Sequence, residues 1–239
     1  MNRLIAGELI KVRTTRTALG FGAAAVLLVL AGVVISILAG DPTTVADKRS
    51  SLAVGGAVAT IMLLFGAVGA TGEFRHRTLA PAVLIAPDRV RLFGARMLAY
   101  SLAALVFGLV MEVVGFAIGG VLLAGQPGPG LEGSDFAEIA AGGLIATVLA
   151  AAVGVGFGTL VRNQVAAVVA TLVWLTIAEP LIGLAGRDIG DHLPGTVLGA
   201  VGQGGNDTMS MGTAALVLLG WTVAFCAAGA LVDRRRDVE

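Results

Sequence analysis

Charge is scarce in this chain: Asp, Glu, Lys and Arg make up only 13% of it, where a soluble domain carries about a quarter. Aromatic residues are few, at 5%, and the single cysteine, Cys226, excludes an intrachain disulfide. There are only two histidines, His76 and His192, and no Cys/His cluster has metal-ligand spacing. The chain lacks a Gly-x-x-x-x-Gly-Lys-Ser/Thr loop to cradle ATP phosphates and a His-Glu-x-x-His pair to hold zinc. Neither histidine stands beside an evident nucleophile and acid, so a Ser/His hydrolase lacks its parts. A glutamate protease would have Glu112 and Glu179 but no paired-glutamate motif or ligand histidine. These absences read against an enzyme and against any cofactor bound by this chain.

What is abundant is apolar: 56% of the 239 residues are hydrophobic and 35 are glycine. The apolar residues fall in six stretches, Ala18–Ala39, Leu52–Ala70, Met97–Ala124, Phe136–Val161, Val165–Ala185 and Thr213–Val232. Each is near or above the roughly 20 residues a helix needs to cross about 30 Å of hydrocarbon. The expected fold is an all-α polytopic membrane protein with six transmembrane helices in one domain over residues 1–239. The first stretch follows basic residues as a signal peptide would. Its length exceeds the 7–15 apolar residues of a typical h-region, so it reads as a retained span.

The basic residues segregate. Four of the 16 precede span one, five lie between spans two and three, one lies between spans four and five, and three are in the tail. The other connections hold Lys48, Arg49 and Arg187 among Asp41, Asp47, Glu132, Asp135, Asp188, Asp191 and Asp207. The positive-inside rule then places both termini in the cytoplasm.

Two segments on that side exceed what topology needs. In the lead-in Asn2–Thr17, Leu4, Ile5, Leu9 and Val12 fall near helical spacing, while Arg3, Lys11, Arg13 and Arg16 can reach headgroups. It reads as an amphipathic helix on the inner membrane surface, or as a basic tail that only sets orientation. The connection Thr71–Arg96 carries Glu73, Arg75, His76, Arg77, Asp88, Arg89, Arg91 and Arg96 around an apolar centre. A reversal alone needs far less chain. A short docking helix is expected there, with Pro87 and Asp88 starting the next helical segment; a positive-inside anchor is the plainer alternative. On the opposite side, Asp135 is expected to cap span four with Glu138 in capping-box spacing. The long Gly186–Gly212 connection is too short and Gly-rich to span, and is expected to touch the outer interface as short helices.

Inside the spans, Ser101, Gly108, Glu112, Gly115 and Gly119 share one face of span three. Thr147, Ala151, Gly154 and Gly158 share one face of span four. Such faces let helices approach closely. Glu112 lies near mid-membrane, where an ionised carboxylate costs about 2.5–3.5 kcal/mol even on the lenient insertion scale. It lines a substrate path or carries a proton, or else it is a protonated acid bonded to a neighbouring helix. Glu179 precedes Pro180, which breaks or kinks span five. Its carboxylate is placed to cap the backbone freed in the following turn, or to border an exit cavity.

Four pieces of sequence together resemble the permease subunits of type-two ATP-binding-cassette exporters, the small six-span bacterial class. Glu8-Leu9-Ile10-Lys11-Val12-Arg13-Thr14-Thr15-Arg16 resembles that family's Glu-x-x-Lys-x-Arg start. Gly72-Glu73-Phe74-Arg75-His76-Arg77-Thr78-Leu79 with Ala86-Pro87-Asp88-Arg89 and Ala95-Arg96 resembles its first cytoplasmic loop. Ala178-Glu179-Pro180-Leu181 with Leu193-Pro194-Gly195 resembles the end of span five and the outer loop, and Arg235-Arg236-Asp237-Val238 resembles the usual ending. Arg96 departs from the Lys of many relatives. The resemblance implies an elbow helix at the lead-in (Glu8, Lys11, Arg13, Arg16). It also implies a coupling helix around Glu73, Phe74, Arg75, Arg77, Pro87, Asp88, Arg89 and Arg91, docked on a cytoplasmic ATPase. ATP and magnesium would then sit on that partner. The other expected partners are a second copy or a related permease and the membrane lipids, with no nucleic acid, in a bacterial cell membrane. A membrane scaffold or sensor accessory is the alternative function.

Overall fold

A computed structural model describes residues 2–75 and 88–235. In chain order the helices are α1 (Asn2–Thr14), α2 (Arg16–Gly40), α3 (Val45–Leu52), α4 (Gly55–Arg75), α5 (Arg89–Leu123) and α6 (Gly133–Val161). Then come α7 (Gln164–Val173), a π-turn (Trp174–Ala178), α8 (Glu179–Ala185), α9 (Arg187–Gly190), α10 (Pro194–Gly202) and α11 (Met211–Arg235). No β-strand occurs among the described residues.

Six helical segments are long and apolar enough to cross a membrane: Thr17–Gly40, Val45–Gly72, Arg89–Leu123, Gly133–Val161, Gln164–Ala185 and Met211–Arg234. The chain is a multi-pass membrane protein. Each segment covers an apolar stretch found in the sequence and begins before it, although the third stops at Leu123, one residue short of Ala124. Hydropathy marks only the part that lipid must cover, while the helical backbone continues into the polar zone. Thus α5 begins at Arg89 rather than Met97, because Asp88 caps it by accepting from the Arg91 N–H at 3.1 Å.

Spans two and four form the centre of the bundle. Their apolar windows are 56% and 61% buried, against 17–28% for the other four. The two central helices meet backbone to backbone. A Cβ built on Gly154 would lie 2.0 Å from the Leu63 carbonyl oxygen, and one on Gly66 would lie 2.3 Å from that of Ala151. Only hydrogen at both positions permits this separation. Spans one, three, five and six form the rim, with Leu27, Ile35, Val113, Leu184 and Leu216 among the exposed apolar side chains.

The start of α5 and the end of α11 meet at one end of the bundle, here the terminal end. There the Asp233 carbonyl, near the end of α11, accepts from Arg89 Nη1 at 2.9 Å. The other end, the loop end, carries α3, the connection 124–132, α9 and α10. There Lys48 Nζ donates to the Pro129 carbonyl at 3.0 Å.

The connection Gly186–Gly212 does more than touch an interface. Its helix α10 is inserted among the spans: Val197, Leu198 and Val201 are buried with Ala59, Leu63, Ala146, Ala150 and Leu218. Small residues make room for it. Gly202 lies against Gly56, and a Cβ on Gly142 would come 2.1 Å from the Val201 carbonyl oxygen.

Candidate functional site

The most organised polar constellation surrounds Glu179, which is buried at 5% exposure. Four α-helical residues of ordinary geometry would not bring Trp174 over this carboxyl. The π-turn Trp174–Ala178 adds a residue to the turn, and across it the Trp174 indole N–H donates to Glu179 Oε1. The other donors come from α10. Gly195 N–H donates to Oε1 at 2.8 Å and Thr196 N–H to Oε2 at 3.0 Å. Pro194 is the first residue of α10 and has no N–H, so the carboxylate takes the first two backbone donors this helix offers. Negative charge is also favoured there by the helix dipole. The cap expected for the turn after Pro180 therefore falls on a different helix, because the first turn of α10 presents unpaired donors. Glu179 also borders a cavity of about 570 Å³ lined by Thr60, Thr176, Asp191 and Thr196.

Glu112 is equally buried but differently supported. Its Oε2 makes no hydrogen bond among the described residues. Its Oε1 occupies the space where a Gly143 side chain would begin, 1.9 Å from a Cβ built there. It borders neither of the two loop-end cavities.

The second of those cavities, about 770 Å³, is lined by α3, the start of α6 and residues 203–212. Arg49 holds one wall, bonding Asp135 at 2.7 Å and Glu138 at 2.6 Å. Asp135 does not cap α6 as its first residue. The helix starts earlier, with Glu132 at the N-cap, and Asp135 Oδ2 reaches back to the Glu132 N–H at 2.8 Å. Glu138 is drawn to Arg49 instead of the cap. Replacing Arg49 with Ala is expected to cost about 1–2 kcal/mol, since buried Asp135 loses a charged donor. Glu138→Gln, on a more exposed side chain, is expected to cost under about 1 kcal/mol. Thermal melts of detergent-solubilised protein check this; equal shifts for the two variants would rule out the clamp.

At the terminal end, α1 is a helix with one side against the bundle. Val12 and Glu8 are buried, Glu8 bonds Lys11 at 2.6 Å, and Arg13 is exposed. Arg16 opens α2. Glu73, Phe74 and Arg75 close α4. Arg77 and Pro87 lie outside the described residues, as does most of the segment expected to hold a docking helix. Asp88 pairs with the Arg91 guanidinium at 2.9 Å, and Arg162 reaches the Asp233 carboxylate at 3.3 Å.

The glycines of span three divide between neighbours. Gly108 lies against Leu144 and Thr147 of α6, Gly115 against Val54 and Val29, and Gly119 against Leu52 and Val33. Gly158 approaches the Ala67 carbonyl oxygen, one turn beyond the Gly154 contact.

Sequence reasoning missed the Arg49–Asp135 and Arg162–Asp233 pairs. Each joins residues far apart in sequence, and the only available signal was a basic residue flanking a span opposite an acid flanking another. Among the described residues no group of three or more His, Cys, Asp or Glu is placed to hold a metal. The chain matches no protein-family model and no curated protein.

Proposed function

We propose that this chain is the membrane permease subunit of an ATP-driven exporter, half of a two-subunit path worked by a separate cytoplasmic ATPase. The observation that carries the reading is the cavity beside Glu179. It is open at its side, polar at its wall (Thr60, Thr176, Asp191, Thr196), and set between span two, span five and α10. Such a groove on a membrane-facing surface has the form of half a conduit, completed by a second copy or a related permease. Thr176 supports this, being the polar exception among the exposed residues from Leu172 to Ala185 of this rim helix, the others being aliphatic, aromatic or proline.

In this reading the terminal end faces the cytoplasm of a bacterial cell, as the basic residues there favour. Helix α1 is the elbow helix. The stretch from Glu73 through Arg91 is the coupling element that fits the ATPase. ATP and magnesium are bound by that partner, and this chain makes no bond to either. Closure of the ATPases would move the coupling elements, and the rigid helices would carry the motion to the loop end.

The test is purification of the tagged chain from its own membrane. The expected result is a copurifying ATPase that contains a phosphate-binding loop. Reversing Glu73 together with Arg75 or Arg77 is expected to uncouple ATP hydrolysis from export. Absence of any ATPase, or a double reversal that leaves both activities untouched, would overturn the proposal.

A further inference from the structure

Span five is held to the bundle unevenly. Its first half buries Ala167 and Thr171. From Trp174 through Ala185, Glu179 is the only buried residue. The loop-end half of this span therefore has no apolar core of its own. Its attachment is one carboxylate whose backbone donors belong to α10. The link is also the only side-chain hydrogen bonding seen between α10 and span five among the described residues.

The surroundings suit a joint that opens. The π-turn sits at the change from the anchored to the unanchored half, where the helical ladder is already wide. Pro180 follows, and with no N–H it leaves the Thr176 carbonyl without its usual partner in the ladder. The Thr176 hydroxyl bonds back to the Leu172 carbonyl at 2.6 Å, a contact that accompanies bent helices. A cavity of about 570 Å³ lies directly beside the carboxylate, so the span has room to move.

We infer that Glu179 is a latch: α10 is fixed in the bundle by its own apolar core, the bonds from Gly195 and Thr196 hold the outer half of span five against it and keep the loop-end mouth of the groove closed, and their release frees that half of the span. Glu179 acts here as a positioning residue. The inference rests on the permease reading for its purpose, but the latch itself is a property of the isolated chain.

The experiment uses the full chain with Cys226→Ala and one new cysteine, solubilised in detergent and treated with a sulfonated maleimide. Leu175→Cys reports on the outer half of span five, where Leu175 lies half-buried against Gly195 of α10. Ala104→Cys, fully buried in the other core cluster, is the control. With Glu179 present both thiols are expected to react slowly. Glu179→Ala is expected to raise the Leu175→Cys rate at least threefold and leave the Ala104→Cys rate unchanged. Glu179→Gln should fall between, because an amide oxygen still accepts from one N–H. An unchanged Leu175→Cys rate in the Glu179→Ala protein would overturn the latch. A parallel rise at Ala104→Cys would also overturn it, since Glu179 would then hold the whole bundle. No ATPase is needed, so the latch and the exporter reading fail separately.

Discussion

Replacing Gly154 with Val is expected to destabilise the protein more than any other single change in the central pair of helices. The residue leaves no space for a side chain: a Cβ there would sit 2.0 Å from the Leu63 carbonyl oxygen and 3.0 Å from the Ala67 backbone nitrogen. Both are backbone atoms, so no rotamer change relieves the clash and the helices must separate. Separation also breaks the reciprocal approach of Gly66 to Ala151. Overpacking in a core costs about 1–3 kcal/mol, occasionally more, and this contact belongs at the upper end. About 3 kcal/mol corresponds to a fall of about 6–12 °C in thermal midpoint for a chain of this size. Two comparisons keep the expectation sharp. At Gly108 a Cβ meets only the tips of Leu144 and Thr147, at 3.2–3.3 Å, so Gly108→Ala should cost under about 1 kcal/mol. At Gly120 nothing lies within 4 Å, so Gly120→Val should be within about 0.5 kcal/mol of the native chain. Melts that place Gly154→Val beside Gly120→Val would show that the close crossing of α4 and α6 is absent.

That crossing also marks how far the sequence could be read. The six spans were legible because an apolar helix in lipid has one requirement, length, and hydropathy reports it directly. The glycine face of span four was legible because small residues at helical spacing leave few other reasons for their presence. Which helix each face would meet was not, since spacing fixes a direction around one axis and says nothing about the neighbour. Glycines 108, 115 and 119 share a face in sequence yet divide between α6 on one side and spans one and two on the other. The insertion of α10 was hidden for a different reason. A nine-residue helix is far shorter than a span, and its burial depends on glycines in two other segments, Gly56 in α4 and Gly142 in α6. The Glu179 cap was half visible. An acid before a proline indicates a disturbed helix, but its donors lie 16 and 17 residues further on.

Glu112→Gln is expected to fold and melt close to the native protein, while Glu112→Lys is expected to fail to assemble. The carboxyl is buried on α5 with Oε2 unbonded among the described residues, and no basic side chain there pairs with it. An ionised head would carry about 2.5–3.5 kcal/mol of insertion cost with no counter-charge to offset it. An amide of the same shape avoids that cost, so Gln should change stability by under about 1 kcal/mol. Lys carries the charge on a longer stem into the space beside Gly143, where Oε1 already excludes a side chain. Overpacking and an unpaired buried charge then act together, and the loss should exceed about 3 kcal/mol. Shape complementarity can be isolated by a double-mutant cycle. Gly143→Ala should be less damaging in a Glu112→Ala background, with a coupling of about 1 kcal/mol or more. The relief will be partial, because Gly55 Cα stays 3.2 Å from the new Cβ. If the exporter proposal holds, the Gln protein is also expected to retain transport, because Glu112 borders neither loop-end cavity. A Gln variant that melts normally yet exports nothing would give the residue a proton to carry and end the packing account.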